Sequence, residues 1–238
     1  MTNEQIYRKW DEKLKQKHPD YDQIEKELLD AWMVDQNQPE IFWRLGSVVY
    51  SMSLDLFDTE EIKKKTIEAF RYVEKALKLF EENHLESFEA FKWSSITSGK
   101  LALIETDIEE KIKYTKIFLN SIRKCIEQRP NDQLVLFMQG RFQLALTLLT
   151  DEERKILKEK LPEAAEINFG DAEQKLRRSI ELNPEFIDCY ITLAYLLIKS
   201  EKASQAKAIV KRGLEVEIIN KSDEMIHKEL LKIQKTLE

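Results

Sequence analysis

The stretch from Ile187 to Ile218, IDCYITLAYLLIKSEKASQAKAIVKRGLEVEI, decides the fold. Its apolar and small residues fall at Tyr190, Leu193, Ala194, Leu197, Ala206, Val210 and Gly213, the pattern of two amphipathic helices joined by a short polar turn. That spacing belongs to a 34-residue repeat. A step of 34 positions back from Gly213 reaches Ser179, within Ala172, Leu176, Ser179 and Pro184, which repeats the second-helix half of the pattern. Cys125, in Phe118, Ile122, Cys125 and Pro130, lies 54 positions before Ser179, one period plus an insertion of 20. A further step of 49 reaches Ala76, in Ala69, Val73 and Ala76. Four helix pairs therefore stack, two of them enlarged.

One such pair cannot bury its apolar face alone, so neighbouring pairs must stack into a continuous core. The expected fold is all-α: a tetratricopeptide-like right-handed α-solenoid of about four helix pairs, with an N-terminal helical hairpin, an inserted helix and a C-terminal capping helix. The expected division is a hairpin over 1–36 packed on a tetratricopeptide-like domain over 37–238. Its units run over about 37–83, 86–130, 131–184 and 187–220, and the capping helix over 222–238. Small residues at Gly46, Ala194, Ala206 and Gly213 mark close helix approach rather than an active site.

Composition agrees. Only 5 Gly and 5 Pro occur in 238 residues, too few turns for a β-rich fold. A net charge of −6 argues against a general nucleic-acid binder, which is usually basic. Cys125 and Cys189 sit at small-residue positions within helices and read as buried free thiols of a reducing compartment. No run of about 18 apolar residues appears and the N-terminus lacks a targeting pattern, so no stable membrane anchor is expected.

Outside the repeats, Ile6, Trp10 and Leu14 share a helix face ending at His18-Pro19, and Thr2 with Gln5 can form a capping box. Ile24, Leu28 and Trp32 line a second helix over about 21–35, with Trp10 and Trp32 as anchors. Pro39 suits a first helical position. The insertion at 150–171 is either a packed helix or a mobile flap. Ile156, Leu157 and Leu161 favour the packed helix. Met225, Leu230 and Ile233 give the last helix an apolar face, with Ser222 as its expected cap.

Catalytic motifs are absent, and His18, His84 and His227 have no metal-like spacing. The reading is not an enzyme, with no metal and no cofactor. Repeat phase puts Trp43, Arg44, Ser47 and Tyr50 on the concave surface in unit one, and Lys92, Trp93 and Ile96 in unit two. Units three and four add Phe137, Met138, Arg141, Leu144, Ile191, Tyr195 and Ile198. This lining is aromatic with a few cations. It could take an amphipathic helix, a peptide, or a lipid whose anionic head lies near Arg44 or Arg141. One of the protein's own helices could fill it instead, with both arginines as internal ion-pair partners. The Lys, Asn and Arg combination that clamps a C-terminal carboxylate in some tetratricopeptide domains is missing.

Charge is uneven along the chain. Lys199, Lys202, Lys207, Lys211 and Arg212 face Glu201 alone, a local balance of +4. The segment 111–129 holds Lys111, Lys113, Lys116, Arg123, Lys124 and Arg129 against Glu127, and Lys63-Lys64-Lys65 is a third cluster. Such stripes are either solvated helix faces or docking surfaces for an acidic polymer.

From about Gln36 to its end the chain resembles the regulator of microtubule dynamics family, in particular its short cytosolic founding form. The resemblance rests on Phe42-Trp43-Arg44-Leu45, Phe91-Lys92-Trp93, Phe137-Met138-Gln139-Gly140-Arg141-Phe142, and Ala172 to Phe186 with its ending Glu181-Leu182-Asn183-Pro184-Glu185-Phe186. It implies a cytoplasmic protein that associates with tubulin, microtubules and spindle poles in mitosis and serves chromosome segregation. Other members carry an N-terminal membrane anchor, and at least one is associated with lipid binding and transfer. The sequence has no such anchor segment, which sets it apart from an organelle tether.

Overall fold

A computed structural model describes residues 3–164 and 166–237, with the Glu163 side chain left aside. Among the described residues the chain is helical, without strands: α1 (Asn3–Leu14), α2 (Tyr21–Val34), α3 (Pro39–Ser53), α4 (Thr59–Glu82), α5 (Phe88–Ile104) and α6 (Ile108–Gln128). There follow α7 (Gln133–Leu148), α8 (Asp151–Lys160), α9 (Phe169–Leu182), α10 (Ile187–Lys199), α11 (Ala203–Gly213) and α12 (Lys221–Leu237), with a 3-10 turn at Pro162–Ala164. The proposed capping residue Thr2 lies outside the described residues.

Local chemistry starts each helix where the sequence offers an acceptor. Asp58, Ser87, Asp107, Asp132 and Asn168 each accept a bond from the first turn they precede. Thr150 and Glu153 form a reciprocal capping box on α8. Pro39 occupies the first turn of α3, where no amide is missed. Among the described residues no glycine takes the left-handed conformation; after α4 and α10 it is His84 and Glu201 that do so, at φ 55° and 60°.

The pairs are α3 with α4, α5 with α6, α7 with α9, and α10 with α11, and α12 packs on the last pair. The solenoid is therefore the tetratricopeptide-like one that the 34-residue phase requires. Gly46 shows why small residues recur: a Cβ there would lie 2.4 Å from Val73 Cγ2 and 2.9 Å from the Ala69 carbonyl oxygen. At Gly140 it would lie 2.4 Å from Leu176 Cγ. Cys125 and Cys189 are buried free thiols, pushed up to about 12 by burial.

The insertion is a packed helix. Leu157, with Leu161 and Ala164, joins Leu146 in a small core over Ile112 and Phe142, and Lys111 Nζ reaches Glu153 Oε1 at 2.6 Å. Trp10 is buried, whereas Trp32 is half-buried and packs on Phe42 of α3 rather than inside the hairpin. Unlike the sequence expectation, α12 is capped by Asn220, whose Oδ1 accepts from Asp223 N–H at 2.9 Å. The Ser222 amide is used elsewhere.

Candidate functional site: the concave cavity and the α11 face

Successive units are not equally close. α4 lies along α5, and α9 along α10, but α6 and α7 barely touch. A cavity of about 480 Å³ lies between α5, α6, α7 and α8, with Tyr50 and Ser51 of α3 and Asp188 of α10 also in its lining.

Six predicted groove residues line it: Tyr50, Trp93, Ile96, Phe137, Met138 and Arg141. The Tyr50 and Trp93 rings lie 6.1 Å apart, and Phe137 meets Phe186 edge-on at 4.8 Å. Leu134 extends the apolar wall. Leu103 and Leu148 also line it and are exposed, and Leu149 and Leu157 complete the apolar lining.

One end of the lining is charged. Arg141 Nη1 donates to Asp188 Oδ2 at 3.1 Å. Lys100 lines the same end without an ion-pair partner among the described residues. Burial, with the Arg141 cation beside it, holds its ammonium below the ordinary lysine value against the pull of Asp188. Burial likewise pushes the Tyr50 phenol up to about 12. Such an end favours an anion, which would relieve the two neighbouring cations. Neither Lys100 nor Asp188 was singled out from sequence. Lys100 follows Ile96 by one turn on the same face, a signal that the i, i+4 rule could have supplied.

Trp43, Arg44, Tyr195 and Ile198 are elsewhere. Repeat phase places Trp43 and Arg44 on the concave side, but α1 covers them there. Arg44 is 4% exposed, binds Asp11 through Nε and Nη2 at 2.8 Å each, and reaches Glu40 Oε2 at 2.7 Å. Its guanidinium stacks 4.0 Å from the Trp43 ring centre and 4.9 Å from that of Tyr7. At this end the N-terminal hairpin is the occupant. Tyr195 donates its hydroxyl to Glu229 of α12 at 2.7 Å, and Ile198 is exposed beyond the cavity.

The basic candidates also separate. Lys199, Lys207, Lys211 and Arg212 are exposed and make no ion pair among the described residues, although Arg212 lies 5.6 Å over the Tyr190 ring. Lys202 pairs with Glu173 at 2.7 Å. The second basic segment is more internally matched: Lys111 binds Glu153, Lys113 binds Glu110, and Lys124 binds Glu86.

Among the described residues no three His, Cys, Asp or Glu side chains converge to hold a metal, and no helix is long and apolar enough to cross a membrane. Stacked helix pairs around an apolar cavity, with a free basic face on the outer layer, define a tetratricopeptide-type α-solenoid, a class built for binding. Within that class, the chain belongs to the regulator of microtubule dynamics protein 1-3 family, which it matches over residues 6–238.

A relative from Xenopus laevis, regulator of microtubule dynamics protein 3, is 26% identical over 159 residues, which is 67% of this chain. The match spans 33% of that relative's length. Among solved structures, a thermophilic tetratricopeptide protein of Thermus thermophilus superposes with a TM-score of 0.56 at 16% identity, covering 90% of each chain. That likeness concerns the fold alone.

Proposed function

We propose that the protein is a non-enzymatic microtubule-associated adaptor, with a basic outer face on α11 for the acidic tubulin lattice and a concave cavity for a partner. Family membership supports the microtubule half. The observation that carries the choice of surface is that Lys207, Lys211 and Arg212 stand exposed on one helix without ion-pair partners, while the α6 cations are largely matched. Unmatched cations are the ones available to a polyanion, and their contact weakens as salt shortens the Debye length. In this reading the adaptor acts in spindle organisation and chromosome segregation, on spindle microtubules and poles and in the cytoplasm. Co-sedimentation with stabilised microtubules tests it: pelleting should fall between low and physiological salt and on removal of the acidic tubulin tails. Absence of pelleting at low salt would refute a direct contact.

A second reading, lipid binding, is favoured by one observation, an apolar cavity ending at Lys100 and Arg141. An acyl chain would lie along Ile96, Leu134 and Leu149 with its anionic head at the cations. Native mass spectrometry after exposure to mixed vesicles should then show an adduct that Trp93→Asp removes, and a clean apo mass would count against it.

A further inference from the structure

In a solenoid each unit ordinarily touches only its neighbours. Here the first pair meets the last. The loop after α3 contacts the loop before α12: Ser222 N–H donates to the Leu54 carbonyl at 2.8 Å, and Lys221 N–H to Asp55 Oδ1 at 3.2 Å. Lys221 Nζ sits 4.9 Å over the Phe57 ring, and Lys17 Nζ pairs with Glu217 Oε2 at 2.5 Å, across 200 positions of sequence.

The contact has a physical basis. The first amides of a helix and its last carbonyls lack partners within the helix. Leu54 is the C-cap of α3, and Lys221 and Ser222 open α12. Each end therefore supplies what the other lacks, with the positive end of one helix dipole against the negative end of the other. Leu54 also lines the cavity, so the junction lies at its charged end, with Tyr50 and Ser51 one turn away.

We propose that this end-to-end contact is a reversible clasp: closed, it joins the solenoid into a ring at the charged end of the cavity; open, it admits a macromolecular partner to the concave face. The proposal rests on the reading that the cavity takes a partner. Its parts suit a latch. The Lys17 and Glu217 side chains are 54% and 67% exposed, an ion pair of the kind that adds little and is screened by salt. The remaining bonds join two loop-borne helix ends rather than a packed core.

Two measurements on the full chain test this. In hydrogen exchange, the Ser222 amide should be protected, yet far less than the Leu230 amide in the buried part of the same helix, and its exchange should speed up with salt. Protection equal to that of Leu230, or none at low salt, would overturn the clasp. For access, Ser51→Cys places a thiol in the lining while the native cysteines stay buried. A polyethylene-glycol maleimide of several kilodaltons should label it slowly, and Lys17→Glu should speed this about five-fold, the effect of one weak ion pair. Lys17→Glu with Glu217→Lys should restore the slow rate, while a small methanethiosulfonate labels all three alike. An unchanged polymer rate in Lys17→Glu would overturn the gate. Loss of microtubule pelleting would leave both results standing, whereas failure of even the small reagent to label would sink the open cavity itself.

Discussion

The Trp43–Arg44 part of unit one and the concave side of units two and three start from the same kind of residue, aromatics and arginines at inward phase, and end differently. Around Trp43 and Arg44 the surface is plugged by α1, with Arg44 held between Asp11 and Glu40. Around Trp93, Phe137 and Arg141 it stays open as a cavity. Inward phase sets where a side chain points, but the occupant comes from a segment outside the repeat, here residues 3–34.

The sharpest way to break this comparison is to remove one arginine from each end. Arg44→Ala leaves two carboxylates facing a buried site and should destabilise the fold by about 3 kcal/mol. Arg141→Ala, whose side chain is 34% exposed, should lose about 1 kcal/mol or less. Denaturant unfolding of both variants measures this, and equal losses would deny the distinction.

Glycine exchanges compare the same two regions through packing. Gly46→Ala drives a methyl toward backbone and should lose about 2 kcal/mol. Gly99→Ala, beside the cavity, meets only the Phe118 ring edge at 3.1 Å, and the gain in helix propensity should offset that crowding to within about 1 kcal/mol. Thermal melts would separate the two.

Acid gives the smallest effect. The Lys111 ammonium beside Glu153 and the capping bonds of Thr150 hold its carboxyl at about 2, below the usual 4.5. Its stabilising contribution is therefore complete above pH 4.5 and is lost as pH falls through about 2. Relative to the intrinsic exchange rate at each pH, the amides of α8 should lose protection across that window before the α3–α4 core responds. Glu153→Gln should already exchange fast at neutral pH and lose the window.

The fold was legible because the helix pairs bury small residues at a fixed phase: Gly46, Gly140 and Gly213 each stand where another helix passes too closely for a Cβ. The packed insertion was legible from Leu157 and Leu161. Tyr50, Trp93, Phe137, Met138 and Arg141 could be placed on one surface for the same reason. Coverage was not legible: Asp11 binds Arg44 across 33 positions, and Glu229 binds Tyr195 across 34, through helices whose docking no period encodes. Nor was the contact of Leu54 with Ser222, since a backbone carbonyl and amide leave no trace in residue type.

The most direct test of two separate binding surfaces is a side-by-side co-sedimentation of two variants with stabilised microtubules at low salt. The account predicts that Lys207→Glu/Lys211→Glu/Arg212→Glu loses pelleting while Trp93→Asp, altered only in the cavity, pellets like the unchanged protein. Full pelleting of the triple variant together with loss in Trp93→Asp would contradict it and move the microtubule contact to the concave side.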